Sequence, residues 1–138
     1  MEKDFEIIDH TADVGLRAFG ASFQEAFANA AKAMFSLITE LDSVSPGLYR
    51  DVEVSAPDIE TLLVEWLNEL IFLFDVENLL FKQFDIITIA PTTLHARCFG
   101  EKVDRTRHEI KTGIKSATYH QLKVEKNGGC RVQVYLDI

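Results

Sequence analysis

Two acidic groups near the ends of this chain carry the residue types that hold hard cations. One is Asp9-His10-Thr11-Ala12-Asp13; the other is Asp137 followed by Ile138 with its terminal carboxylate. Carboxylate oxygens suit calcium and magnesium, and calcium tolerates irregular geometry with water completing its shell. Were the fold to bring the two ends together, side-chain and main-chain carboxylates would form an all-oxygen site. Asp13 reads as a ligand in such a site. His10 is a poor donor for a hard ion, but suits hydrogen-bonding and orienting a carboxylate. The plainer reading of the first group is a polar turn in which Asp9 and Thr11 bond local amides. The plainer reading of the second is a frayed terminus. Against that, apolar alternation runs to the last residue. A fixed terminal carboxylate beside Asp137 is also electrostatically unfavourable without a cation.

A third group lies in Ile114-Lys115-Ser116-Ala117-Thr118-Tyr119-His120. It reads either as a strand with a polar outer face or as one placing Lys115 or Tyr119 on a partner-contact surface, or near the acidic site. His10, His108 and His120 with Asp9 would serve a hydrolase or zinc site only by assembly in space, since their spacing matches no metalloenzyme signature. The chain has no P-loop, no G-x-S-x-G and no G-x-G-x-x-G. Independent catalysis is therefore not the expectation.

The elements that must position these residues follow from periodicity. Phe5–Asp9 and Val14–Gly20 alternate as strands. Ser22-Phe23-Gln24-Glu25 has the form of a capping box. The helix behind it carries Phe23, Phe27, Ala30, Met34, Leu37 and Leu41 as its apolar stripe. Ser45-Pro46-Gly47 breaks the chain before a strand over Leu48–Ala56. Asp58 is the N-cap of a second helix reaching about Val76. Its apolar residues, among them Trp66, cover most of its circumference, leaving a polar stripe near Thr61, Glu65, Asn68 and Glu69. Phe84–Ala90 and Leu94–Phe99 form a hairpin through Pro91-Thr92-Thr93. Gly100–Thr106 reads as charged and exposed, and His108–Thr112 as a strand or a turn. Thr118–Glu125 and Cys130–Asp137 form a hairpin through Asn127-Gly128-Gly129. The order argues an α+β fold, a mostly antiparallel β-sheet with two main helices packed on one face.

Length and composition bound the rest. At 138 residues the expectation is one domain, 1–138, large enough to bury a core without disulfides or a structural metal. Lys and Arg number 14 against 22 Asp and Glu, a net charge of −8. That disfavours autonomous binding of RNA or DNA and suits cations or a basic partner. Cys98 and Cys130 lack metal-ligand spacing and read as buried thiols of a reducing compartment. The charged N-terminus has no apolar h-region, and the longest apolar stretch, Leu62–Phe74, is too short and too interrupted to cross a bilayer. A cytoplasmic soluble protein without membrane contact is expected.

Four segments, in order, resemble the archease family. They are Asp9-His10-Thr11-Ala12-Asp13-Val14-Gly15-Leu16-Arg17-Ala18; Leu63-Val64-Glu65-Trp66-Leu67-Asn68-Glu69-Leu70 with Asp75 and Leu80-Phe81; Gly100-Glu101 with Arg107-His108 and Ile114–His120; and Asp137-Ile138. One departure is Val134-Tyr135-Leu136, where a Phe would stand just before the acid. The resemblance implies a strand-helix-strand-strand-like core and a non-catalytic protein cofactor. It implies as partner the GTP-dependent tRNA-splicing RNA ligase, which joins 3′-phosphate or 2′,3′-cyclic-phosphate ends to 5′-hydroxyl ends, with tRNA engaged indirectly through that ligase. Archeases help the ligase become guanylylated and turn over repeatedly. The resemblance further implies a divalent cation, calcium first and magnesium or manganese next, held by Asp13, Asp137 and Ile138, with Asp9, His10, Lys115 and Tyr119 supporting it or touching the partner. The residues alone leave two other classes open: an RNA-processing chaperone that binds RNA directly, and a small metal-dependent hydrolase.

Overall fold

A computed structural model describes residues 3–9 and 13–138. Strands β1 (Phe5–Asp9) and β2 (Asp13–Gly20) lead into helix α1 (Phe23–Ile38); a 3-10 turn, Leu41–Ser43, follows. Then come β3 (Leu48–Ser55), α2 (Ile59–Glu77), β4 (Leu79–Ala90), β5 (Thr93–Lys102), β6 (Ser116–Ala117), β7 (Lys123–Lys126) and β8 (Cys130–Asp137). The class is α+β, as expected, with every strand pair antiparallel. The strands divide between two sheets. One has the order β1-β2-β8-β6, with β7 also on β8; the other has the order β3-β5-β4. Alternation marks strands but not their partners, so this partition was not legible in the sequence.

Both helices lie against both sheets. Helix α1 packs on β2 and β8 of the first sheet and on β4 of the second, while α2 packs on β3, β4, β5 and β6. Two-sided burial explains why α1 is apolar well beyond one stripe: Ala26, Phe27, Ala30, Ala31, Ala33, Met34, Phe35 and Ile38 are all buried. Trp66 is fully buried, and its indole N–H donates to the Phe27 carbonyl at 3.0 Å, joining the helices. Phe35, Phe81, Phe84 and Trp66 pack edge-on and tilted around this junction. Burying each such ring contributes about 2–3 kcal/mol.

The caps follow the sequence. The Ser22 hydroxyl accepts from the Glu25 amide at 3.2 Å, and the Asp58 carboxylate accepts from the Thr61 amide at 2.7 Å. Helix α2 ends at Asn78, which adopts the left-handed conformation (φ 57°, ψ 45°) and returns its N–H to the carbonyls of Leu73 and Phe74. Cys98 and Cys130 are buried free thiols, as expected; burial pushes the Cys98 thiol up to about 12, with Asp85 and Asp51 adding to the effect. Among the described residues no helix is long and apolar enough to cross a membrane.

Several boundaries move. β4 begins at Leu79 rather than Phe84, and β5 runs on to Lys102 through Gly100. A side chain at Gly100 would stand 1.8 Å from the Leu80 carbonyl oxygen, so only glycine permits this crossing of β4 and β5. Residues 103–115 form no regular element, and His108, expected in a strand or turn, is 3% exposed within that segment.

Candidate functional site: an acidic pair at a strand end

The first sheet brings the two ends of the chain together. β2 and β8 pair so that Asp13 stands directly opposite Asp137. Side chains on one face recur every second residue. The same face therefore carries Asp13/Asp137, then Gly15/Tyr135, then Arg17/Gln133. Facing side chains of adjacent antiparallel strands lie about 5 Å apart at Cβ, and like charges so placed repel. Asp137 is exposed and Asp13 is partly buried, at the open end of the ladder.

Each layer below the acidic pair is tied. A Cβ on Gly15 would fall 2.8 Å from the Tyr135 ring, so the ring occupies the space that glycine leaves beside the acids. His120 packs edge-on against that ring at 5.5 Å. One layer down, Arg17 donates to Glu6 at 2.9 Å and to the Gln133 side-chain oxygen at 2.8 Å. The Gln133 amide in turn donates to the Gln121 carbonyl at 2.9 Å.

The far edge of β8 brings in Lys115. Its amide donates to the Asp137 carbonyl at 2.8 Å, and Ser116 is the register partner of Asp137. The Asn68 side chain of α2 accepts from the Ala117 amide at 2.7 Å, fixing this short strand to the helix. Lys115 is exposed on the rim. Tyr119 is 60% exposed in the turn that follows. Ile138 is 39% exposed beside Asp137. His10 and the Asp9 side chain lie outside the described residues; the Asp9 backbone closes β1 opposite Val14.

The irregular segment that delivers Lys115 is anchored by a polar cluster; in the sequence its residues Glu101, Arg107 and His108 stand out only as part of a resemblance, which says nothing of their mutual contacts. The Asp104 amide donates to His108 Nδ1 at 2.9 Å, which leaves the ring hydrogen on Nε2, 2.9 Å from Glu101 Oε2. Glu101 also receives Arg107 at 2.6 Å and the Ser45 amide at 2.7 Å. The Arg107 guanidinium is the main reason its carboxyl is held down to about 2, with the Ser45 amide and His108 contributing against the cost of burial. Farther along, the Lys111 amide donates to the Ile38 carbonyl at 2.7 Å and the Thr39 hydroxyl to the Glu109 carbonyl at 2.8 Å. The signal was a Glu, an Arg and a His within eight residues of an otherwise unpatterned stretch; Asn68 was likewise visible as an amide on an apolar helix.

His108 and His120 thus have separate surroundings, and the structure does not join them. Among the described residues no group of three or more His, Cys, Asp and Glu side chains is placed to hold a metal. What the strand end offers is smaller: two aspartates, Asp13 and Asp137, in register across β2 and β8, whose donors are oxygens. That donor set suits calcium or magnesium, with water or a partner's oxygens filling the shell, and suits zinc poorly.

Known proteins share this sequence pattern and fold. Residues 5–138 match the Archease protein family (MTH1598/TM1083). The chain is 38% identical to protein archease of Sulfurisphaera tokodaii, covering 96% of each chain. It is 39% identical to protein archease of Pyrococcus abyssi, covering 99% of each. Its fold is similar to the solution structure of Methanobacterium thermoautotrophicum protein 1598, with a TM-score of 0.85 and 34% identity over 98% of this chain and 99% of that one. It also shares the fold of a Thermotoga maritima archease described as a possible chaperone, with a TM-score of 0.65 at 20% identity over 100% and 98% of the two chains. The chain belongs to the archease family.

Proposed function

We propose that this protein is a non-catalytic cofactor of the GTP-dependent RNA-splicing ligase, acting in tRNA splicing and RNA repair. In this reading it promotes guanylylation of the ligase and its repeated turnover. A divalent cation, most readily calcium, is held by Asp13, Asp137 and the Ile138 carboxylate, and Lys115 and Tyr119 meet the ligase beside it. The observation that carries the reading is the register of β2 and β8, which sets Asp13 against Asp137 at the end of their ladder. Two facing carboxylates in a sheet repel, and a cation bound between them would offset that repulsion.

Membership of the archease family supports the role, and the description of the Thermotoga relative as a possible chaperone points to a protein partner. Charge supports it too. Enzymes that handle GTP and RNA phosphates work through cationic side chains and metal ions. A protein of net charge −8 is drawn to such a cleft. When bound, the cation supplies local positive charge that a phosphate or nucleotide oxygen can meet; Asp13 and Asp137 hold it, and Lys115 adds a donor on the rim.

The reading is tested by following the ligase–GMP adduct from labelled GTP. The intact protein is expected to speed adduct formation at least about tenfold, and Asp137→Asn to lose most of that gain. Equal rates with and without the intact protein would contradict it.

A further inference from the structure

Helix α2 leaves one stripe uncovered. Phe72 and Val76, one turn apart, are 50% and 61% exposed, although Leu70, Ile71 and Leu73 around them are buried. Residues three and four apart share a helix face, so Glu65, Glu69, Phe72 and Val76 form one line about 16 Å long. Among the described residues the carboxylates of Glu65, Glu69 and Asp75 take no hydrogen bond and no ion pair. Asp75 is also misplaced for the helix alone. The last turn contains no basic residue, and an acid there opposes the helix dipole. Glu77 is met by Arg50; Asp75 takes no such partner among the described residues.

We propose that this stripe docks a cationic amphipathic helix of a partner protein. Its apolar residues would pack on Phe72 and Val76, and its Lys or Arg residues would face Glu65, Glu69 and Asp75. Charge decides among occupants. A second copy would set acid against acid, an anionic membrane surface would repel the stripe, and a nucleic acid would as well. A helix fits the shape, because a single ridge of side chains four apart packs into the groove of another helix. The stripe also borders the acidic strand end. Asn68 lies between Glu65 and Phe72 and holds Ala117, whose neighbour Ser116 pairs with Asp137. A partner seated on α2 would keep the acidic pair at high effective concentration near its target. The proposal holds whichever protein supplies the helix.

The test uses the intact protein and a synthetic helical peptide of about 18 residues, with leucine on one face and lysine on the other, plus a peptide of equal charge lacking leucine. Binding is measured by fluorescence anisotropy in physiological salt, and the contact is mapped by backbone amide chemical shifts. Expected are shifts centred on residues 65–76, and binding of the leucine-free peptide weaker by at least about tenfold. Binding of the leucine peptide should also weaken about tenfold in Phe72→Ser/Val76→Ser, and clearly in Glu69→Lys. Val76→Ser alone, at a mostly exposed position, gives the same direction should the double variant melt early. Shifts centred elsewhere, equal binding of both peptides, or variants that bind like the parent would overturn the proposal.

Discussion

At the residue scale, the facing aspartates make a prediction with two signs. Without divalent metal, Asp137→Asn relieves like-charge repulsion across β2 and β8 and is expected to stabilise the fold slightly, by about 0.2–1 kcal/mol. With calcium at a hundred times its dissociation constant, the parent gains about 2.7 kcal/mol and the variant does not. Thermal melts with and without calcium read both effects, and a variant that gains as much as the parent would remove Asp137 from the site. Gly15→Ala tests the layer beneath. Its Cβ would lie 2.8 Å from the Tyr135 ring and 3.1 Å from Ile8, and overpacking of this kind costs about 1–3 kcal/mol. Denaturant titration should show that loss, and calcium affinity should fall as the ring is displaced. Glu101 gives a pH dependence. Its carboxyl is held down to about 2, chiefly by Arg107. A carboxylate depressed in the folded state stabilises it above its unfolded pKa and loses that contribution as pH falls toward the folded value. Stability should therefore decline between about pH 4.5 and pH 2, less steeply in Glu101→Gln, with a flat difference between the two proteins as the contrary result.

At the scale of elements, β8 organises the site. It pairs β2 along its whole length on one side, and β7 then β6 on the other, so one strand joins Asp13 to the short strand beside Lys115. That strand, both helices and both N-caps were legible from sequence, because periodicity and capping are local signals. Asp58→Ala should lower stability, as loss of an N-cap does, read as a fall in the chemical unfolding midpoint. The opposition of Asp13 and Asp137 was legible only as a possibility, since register depends on partners remote in sequence. Residues 103–115 were the least legible. Their order comes from scattered polar contacts among Asp104, Glu101, His108, Ile38 and Thr39, which leave no periodic trace. The exposed stripe of α2 was hidden for a related reason: on a helix apolar nearly all round, no local signal marks Phe72 and Val76 as uncovered.

At the scale of the molecule, two sheets hold two helices between them, and the acidic pair stands at an open end of one sheet. The helices and the anchored 103–115 segment make that end a fixed platform, while Asp137, Ile138, Lys115 and Tyr119 remain accessible on it. Asp137 is exposed there and Asp13 half-buried, a placement that would suit meeting another protein's cleft. A charge of −8 spread over the whole surface adds steering that salt will weaken. The most direct measurement is multiple-turnover RNA ligation by the ligase of the same organism, with GTP and divalent metal, with no addition, with this protein, or with Asp13→Asn/Asp137→Asn. The account predicts that the intact protein turns one stalled round into many and that the doubly substituted protein, equally folded, does not. Many rounds with the doubly substituted protein would contradict it.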